Sequence, residues 1–307
     1  MIKKAIVKIV SLISILIVLS FFVFALLYLA PGDPAEKRLT SQGVAVTKEV
    51  LDAERERLGL LKPFLVRYGE WLVRVIRGDF GVSFKDDMPV APKLYAGLKN
   101  TTILAMTSLL LSLAISFWLS ILSAIRKNGI ADNIIRLFSF IGNSLPNFLI
   151  SVLLMYFLCI KIKLFPVIAK GNVQGLFMPV MSLSIPMTCR FIRQMRTEFL
   201  TQMKEDYVVG MWGRGVKGRY IVINILRNSI GHIFTIIALQ IGTLMGGSVV
   251  IETIFRWPGI GKLVMDSITA RDYPVIMGFV IIMGTIYVVI NQLSDILSHC
   301  MDPRTNL

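Results

Sequence analysis

The chain has 307 residues, 55% of them hydrophobic and only 17% charged, and its mean hydropathy is +0.70. That composition excludes a soluble globular domain of this length and points to a polytopic membrane protein. The formal net charge of +14, from 33 Lys and Arg against 19 Asp and Glu, excludes nothing by itself. Its cations sit in loops without the stacking aromatics of a basic binding face, so no nucleic-acid partner is inferred.

A hydrocarbon core about 30 Å thick is crossed by about twenty apolar residues in a helix. Six segments meet that requirement: Ile9–Ala30, Thr101–Ile125, Ile134–Ile160, Leu176–Cys189, Ile230–Ile251 and Val275–Leu297. The fourth is short and carries Pro179 and Pro186, which spanning helices tolerate because neighbouring groups re-satisfy the freed carbonyls. The first follows Lys3, Lys4 and Lys8 but outruns the ~7–15 apolar residues of a signal peptide, and Tyr28 makes a poor cleavage site. It reads as a retained anchor.

Six spans place the amino terminus, the 126–133 loop, the 190–228 loop and the carboxyl tail on one side. That side holds fifteen Lys and Arg, against six in the two short loops opposite. The long 31–99 loop hardly counts for orientation, so both termini are assigned to the cytoplasm.

Within 31–99, Pro31-Gly32-Asp33-Pro34 is a turn that stops the first span. Thr47 is expected to cap a charged helix that runs through Arg57 and closes at Gly59. Pro63 opens a second helix with an apolar stripe of Phe64, Leu65, Tyr68, Trp71, Leu72, Val75 and Ile76, opposite Arg67, Glu70, Arg74 and Arg77. The stripe is expected to lie in the membrane interface, with Tyr68 and Trp71 at headgroup level. Gly78 closes that helix.

Cys159, Cys189 and Cys300 fall in or beside spans and, with His232 and His299, have no metal-ligand spacing. No metal site and no bound cofactor is expected. Energy-coupling chemistry is also missing. Gly213-Arg214-Gly215-Val216-Lys217-Gly218 has the gap of a phosphate loop, but Arg219-Tyr220 stands where Lys and Ser/Thr are needed. The span cores hold almost no acids before Glu252 and Asp295 at their ends, whereas ion-driven carriers keep ionisable groups at mid-membrane. No nucleophile elbow or zinc motif suggests an enzyme.

The 190–228 insert is the odd element. Arg190, Arg193 and Arg196 extend the fourth span with one basic edge. Beyond Lys204 a short amphipathic helix is expected, with Asp206 as cap, an apolar side of Tyr207, Val208, Met211 and Trp212, and Gly215 at the turn. Such a helix docks in a partner's groove or lies in lipid headgroups; the residues alone leave both open.

Glu205-Asp206-Tyr207-Val208, then Gly215, then Ile225-Leu226-Arg227-Asn228 resembles the coupling loop of ABC-importer permeases of the oligopeptide/dipeptide/nickel family. Leu29–Ala35, Leu58-Gly59-Leu60, Gly78–Ser83, Pro146-Asn147-Phe148, Gly246–Glu252, Ile254–Gly261, Arg271–Val275 and Asp302-Pro303-Arg304 resemble it too. Gly210 and Met211 replace two usual alanines, and Arg256 stands where small residues are common.

The resemblance implies the six-helix type I (MetI-like) permease fold in a bacterial plasma membrane. It divides the chain into an anchor (1–30), an extracytoplasmic loop (31–99), a permease core (100–299, coupling loop about 198–228) and a cytoplasmic tail (300–307). It implies a second permease subunit, two cytoplasmic ATPases that use ATP and Mg, and an extracytoplasmic binding protein. Glu205, Asp206, Tyr207, Val208, Met211, Trp212, Gly215, Arg227 and Asn228 would couple to the ATPases. Glu252, Trp257, Pro258, Gly259 and Gly261 would form an outer element facing the binding protein. The cargo is nickel, free or chelated, or a di- or oligopeptide, with a lean to nickel. An ion-coupled secondary carrier would instead show inverted repeats, and a non-transport scaffold would not need the insert.

Overall fold

A computed structural model describes residues 2–169 and 173–301. Lys170 and the Asp302-Pro303-Arg304 block lie outside them. Twelve α-helices and one π-helical segment make up the described architecture, and the one β-bridge, Val82 with Pro89, is isolated. Among the described residues five helices are long and apolar enough to cross a membrane, or six if one bent pair of helices counts as a single span. The protein is an all-helical polytopic membrane protein.

The chain divides into two compact units, Met1–Thr101 with Pro258–Val288, and Thr102–Trp257 with Val289–Leu307. The first contains α1 (Ile2–Leu29), α2 (Pro34–Ser41), α3 (Lys48–Arg57), α4 (Phe64–Ile76), the start of α5 (Val90–Ile125), α11 (Ile260–Ala270) and most of α12 (Tyr273–Met301). The second contains the rest of α5, α6 (Ile130–Ser144), α7 (Asn147–Leu154), a π-helical turn (Met155–Lys161), α8 (Val173–Gln202), α9 (Asp206–Gly213) and α10 (Gly218–Phe255).

In the first unit Thr47 caps α3 and Gly59, at φ +67, closes its far end; α4 starts after Pro63 and Gly78, at φ +80, follows it. The turn at Pro31–Pro34 does more than stop α1. Asp33 accepts a hydrogen bond from the Ala35 amide at 2.8 Å and caps α2, a helix the sequence pattern did not suggest. The α4 stripe corrects the interface expectation for its aromatics. Tyr68 and Trp71 are buried with Met277 and packed by Val23, Phe24 and Leu27, and the Tyr68 hydroxyl donates to the Ile17 carbonyl at 3.2 Å. Leu65 and Ile76, on another edge, stay exposed.

In the second unit the expected single span Ile134–Ile160 is two helices, bent by 102° between Ser144 and Asn147. Pro146 is the cause: it lacks an N–H and pushes Leu145 out of helical geometry, to ψ 134. The fourth span also differs. It is not a short segment ending at Cys189 but α8, which carries Pro179 and Pro186 inside it and continues to Gln202. Likewise α10 begins at Gly218, so Arg227 and Asn228 lie within the helix, before the expected span start at Ile230. The main core of this unit joins Leu109 and Ala124 of α5, Phe191, Met195 and Phe199 of α8, Val208 of α9, and Ile221 and Ile225 of α10.

Candidate functional site

An isolated helix of eight residues is not stable in water, so α9 depends on what it packs against. Val208 is 1% exposed, and Tyr207 and Met211 sit with it against Phe199, Leu200, Met203, Ile221 and Ile225. The Tyr207 hydroxyl donates to Gln202 Oε1 at 3.1 Å. At the amino end the cap position is Glu205 rather than Asp206; Asp206 lies in the first turn, where a carboxylate suits the positive end of the helix. At the far end Gly215 has φ +71, and the Gly215 and Val216 amides donate back to Trp212 and Met211 at 3.0 and 3.1 Å. Left-handed geometry is easy there for glycine.

Packing therefore splits the apolar side expected from sequence. Tyr207, Val208 and Met211 face the chain's own core. Trp212 faces out, 63% exposed, together with Val209, 60% exposed, which the sequence reading left out. Gly210 and Gly213 flank them, and a Cβ at either would meet no heavy atom within 4 Å. The result is a small, flat, apolar surface on a helix fastened from behind. Val208/Met211 and Val209/Trp212 are both apolar i,i+3 pairs, so only packing decides which turns inward. Arg227 and Asn228 are exposed on α10, while Ile221, Ile225 and Ser229 are its buried residues there.

The basic edge of α8 is likewise divided. Arg193 is exposed, Arg196 binds Asp132 of α6, and Arg190 donates to Gln240 Oε1 at 3.3 Å. Arg190 borders a small cavity of about 50 Å³ with Asn147, Pro186, Gln240 and Gly247. Ending the fourth span at Cys189 had hidden this polar spot; an arginine inside a spanning helix is the signal that would have found it.

Glu252 and Trp257 belong to the second unit and are buried, 0% and 3% exposed, with Trp257 packed on Leu104, Ile251 and Phe255. Pro258, Gly259 and Gly261 belong to the first unit. The Pro258 carbonyl accepts from Asn100 Nδ2 at 2.8 Å, and Gly259 caps α11, whose first amide, Ile260, donates to Thr101 Oγ1 at 2.9 Å. The contacts of Trp257, Pro258 and Gly259 are thus packing and backbone hydrogen bonds. Among the described residues no group of three or more His, Cys, Asp or Glu could hold a metal ion.

Residues 116–307 match the family described as Binding-protein-dependent transport system inner membrane component. Residues 1–114 match Binding-prot-dependent transport system membrane comp, N-term. The chain belongs to this permease family. It is 34% identical over 307 residues to the nickel import system permease protein NikB of Staphylococcus aureus (strain MRSA252), covering 100% of this chain and 92% of that protein. It is 32% identical over 305 residues to the metal-staphylopine import system permease protein CntB of Staphylococcus aureus (strain Mu50 / ATCC 700699), covering 99% and 98%. The chain is thus the membrane permease component of an ABC importer, a subunit that is not itself catalytic.

The permease's family-like blocks have visible structural reasons. Asp272 Oδ1 accepts the Phe84 amide at 2.9 Å, and Asp272 Oδ2 takes the Ser83 hydroxyl, so Arg271–Val275 is tied to Gly78–Ser83. A Cβ on Gly32, which has φ +99, would lie 2.3 Å from the Arg271 guanidinium. Arg256, which departs from the family pattern, adopts φ 54 and ends α10.

Proposed function

We propose that the chain forms the translocation pathway for nickel or a similar transition metal, free or chelated, in an importer driven by ATP hydrolysis in partner subunits. Its partners are a second homologous permease, two cytoplasmic ATP-binding subunits that use Mg, and an extracytoplasmic binding protein. The observation that carries this reading is the outer face of α9. Val209 and Trp212 are mostly exposed, while Tyr207, Val208 and Met211 fasten the helix to α8 and α10. A helix so held can transmit a push from a partner's groove into two long helices at once.

The metal is favoured by the two relatives, one a nickel and the other a metal-staphylopine permease. Cation asymmetry supports cytoplasmic termini in a bacterial plasma membrane, with α9 on the cytoplasmic side and α2–α4 outside. Glu252 to Gly261 would then lie toward the binding protein, as architecture rather than as cargo ligands.

Deletion of the gene should abolish high-affinity accumulation of radioactive nickel, and uptake should stop on ATP depletion but survive an ionophore. Loss of growth on peptides with unchanged nickel uptake would replace the metal by peptide. Uptake that collapses with the ionophore alone would make the chain a secondary carrier. If neither cargo is affected, the transport assignment to these cargoes fails.

A further inference from the structure

The first unit contains a cavity of about 340 Å³ whose lining includes none of the α9 surface residues. Phe24 of α1, Arg67, Trp71 and Arg74 of α4, and Tyr273 of α12 line it. Arg67, Trp71 and Arg74 stand at i, i+4 and i+7, one face of α4. Phe24 lies near the end of the span Val10–Leu29, and Tyr273 begins the span Tyr273–Leu293. The cavity therefore sits at one border of the hydrocarbon layer, where aromatic side chains collect.

Its charges do not balance. Glu70 is held by Lys62 at 2.6 and 2.8 Å, and Asp87 by Arg38 and Arg57. Asp79 Oδ1 accepts the Gly81 amide at 2.8 Å. Arg74 donates to the Glu70 carbonyl at 3.5 Å and also feels the Glu70 carboxylate, which Lys62 already holds. Arg67 has the Phe24 ring at 5.7 Å and, among the described residues, no carboxylate. Burial disfavours its charged form, yet guanidinium stays charged in proteins. A partly buried arginine with a ring and no carboxylate beside it is a fitting place for an anion.

Arg67 also borders a second cavity of about 320 Å³, where Leu27, Tyr28 and Leu61 line one part and Asp33, held by Arg55 at 2.6 Å, lines another. Leu27 and Tyr28 of α1 thus offer apolar surface beside Arg67. The opposite edge of α4 exposes Leu65, Val73 and Ile76, as suits a helix lying in the bilayer interface. An anion with an apolar tail fits this pairing better than a free one.

We propose that this cavity binds an anionic phospholipid, its phosphate paired with Arg67 and Arg74 and its acyl chains lying along Phe24 and Leu27 of α1. The lipid would stabilise the packing of α4 on α1 and α12.

The test uses the assembled importer in nanodiscs of phosphatidylcholine with or without phosphatidylglycerol, read by native mass spectrometry and thermal unfolding. Wild type should retain one phosphatidylglycerol per chain after delipidation and unfold at higher temperature in its presence. Arg67→Gln and Arg74→Gln should each weaken retention roughly fivefold, the effect of about 1 kcal/mol per basic residue, and Arg67→Lys should keep most of it. Equal retention by the double variant means annular lipid only and overturns the proposal. Protection of wild type by inorganic phosphate or glycerol 3-phosphate as strong as that by the lipid also overturns it, in favour of a soluble-anion site. If the double variant fails to assemble, phosphatidylglycerol with brominated acyl chains must quench tryptophan fluorescence in wild type more than in Trp71→Phe; equal quenching refutes the site.

Discussion

Arg196 holds Asp132 with both arms of its guanidinium, Nε at 2.8 Å from Oδ1 and Nη2 at 2.7 Å from Oδ2, and Asp132 has no exposed surface. Ser123 of α5 donates to the same carboxylate and accepts from Arg196 Nε at 2.9 Å, while the Asn128 amide donates to Oδ2 at 2.9 Å. One ion pair thus ties α5, α6 and α8 together. Removing only the arginine would strand a buried charge, so Arg196→Met should cost about 3–5 kcal/mol of stability. The double variant Arg196→Met/Asp132→Leu should recover most of that loss. Thermal unfolding of the purified permease in detergent measures both, and a single variant as stable as wild type would refute the account.

The two faces of α9 should separate stability from coupling. Trp212→Ala and Val209→Ser touch only exposed side chains, so unfolding should change by no more than about 0.5 kcal/mol. Uptake should nevertheless fall by about tenfold or more, as for an aromatic anchor lost from an interface. Val208→Ala removes buried volume and should cost about 1–3 kcal/mol. Should Trp212→Ala transport normally, the outer face is not where the ATPases act.

Gly215 makes a sharper case. A Cβ there meets nothing within 4 Å, so the penalty of Gly215→Val comes from backbone alone, about 1–2 kcal/mol at φ +71. Asparagine tolerates that conformation, so Gly215→Asn should retain most uptake while the valine variant inserts but uncouples ATP hydrolysis from transport. The comparison needs only ATPase and uptake rates; equal behaviour of the two variants would exclude a role for the turn.

Much of this was legible in the residues because the bilayer imposes a simple rule on length and hydropathy. Thr47, Gly59, Pro63 and Gly78 punctuated the 31–99 segment correctly because caps and positive-φ glycines are local signals. What local signals could not provide was the partner of each face. Tyr68 and Trp71 could have met lipid or α1, and the choice depends on a helix some forty residues away. Arg196 could have been a topological anchor; its partner Asp132 lies on a different helix. Pro146 was visible, but whether a proline bends a span or is absorbed, as Pro179 and Pro186 are in α8, depends on the neighbours that re-satisfy the backbone.

Close helix approach in the first unit predicts opposite effects for two glycine-to-alanine changes. A Cβ on Gly97 of α5 would come within 2.9 Å of the Ile260 Cα, which is backbone and cannot swing aside. Gly97→Ala should therefore force α11 from α5 and destabilise by about 1–3 kcal/mol. Gly69 of α4 has open space around its would-be Cβ, so Gly69→Ala should stabilise by about 0.5–1 kcal/mol through helix propensity. Differences of opposite sign in thermal unfolding would bear this out, and a neutral Gly97→Ala would show that the two helices are not in contact.

Acid should loosen the segment after α4 through Arg38. This buried arginine reaches the Phe84 carbonyl at 2.7 Å, Glu54 at 3.1 Å and both oxygens of Asp87. The hydrogen bond and charge of Arg38, with Arg57 nearby, hold the Asp87 carboxyl below its ordinary value. A depressed folded-state pKa means stabilisation that is complete above the unfolded carboxylate range and is lost as pH falls through the folded value. Asp87 is about half exposed, so solvent screening keeps the effect small. Amide hydrogen exchange at Ser83 to Val90, measured between about pH 6 and pH 3 and corrected for intrinsic rates, should lose protection at the acid end in wild type. Asp87→Asn should show lower protection throughout and little dependence on pH. Parallel pH profiles for the two proteins would mean that another group governs the segment.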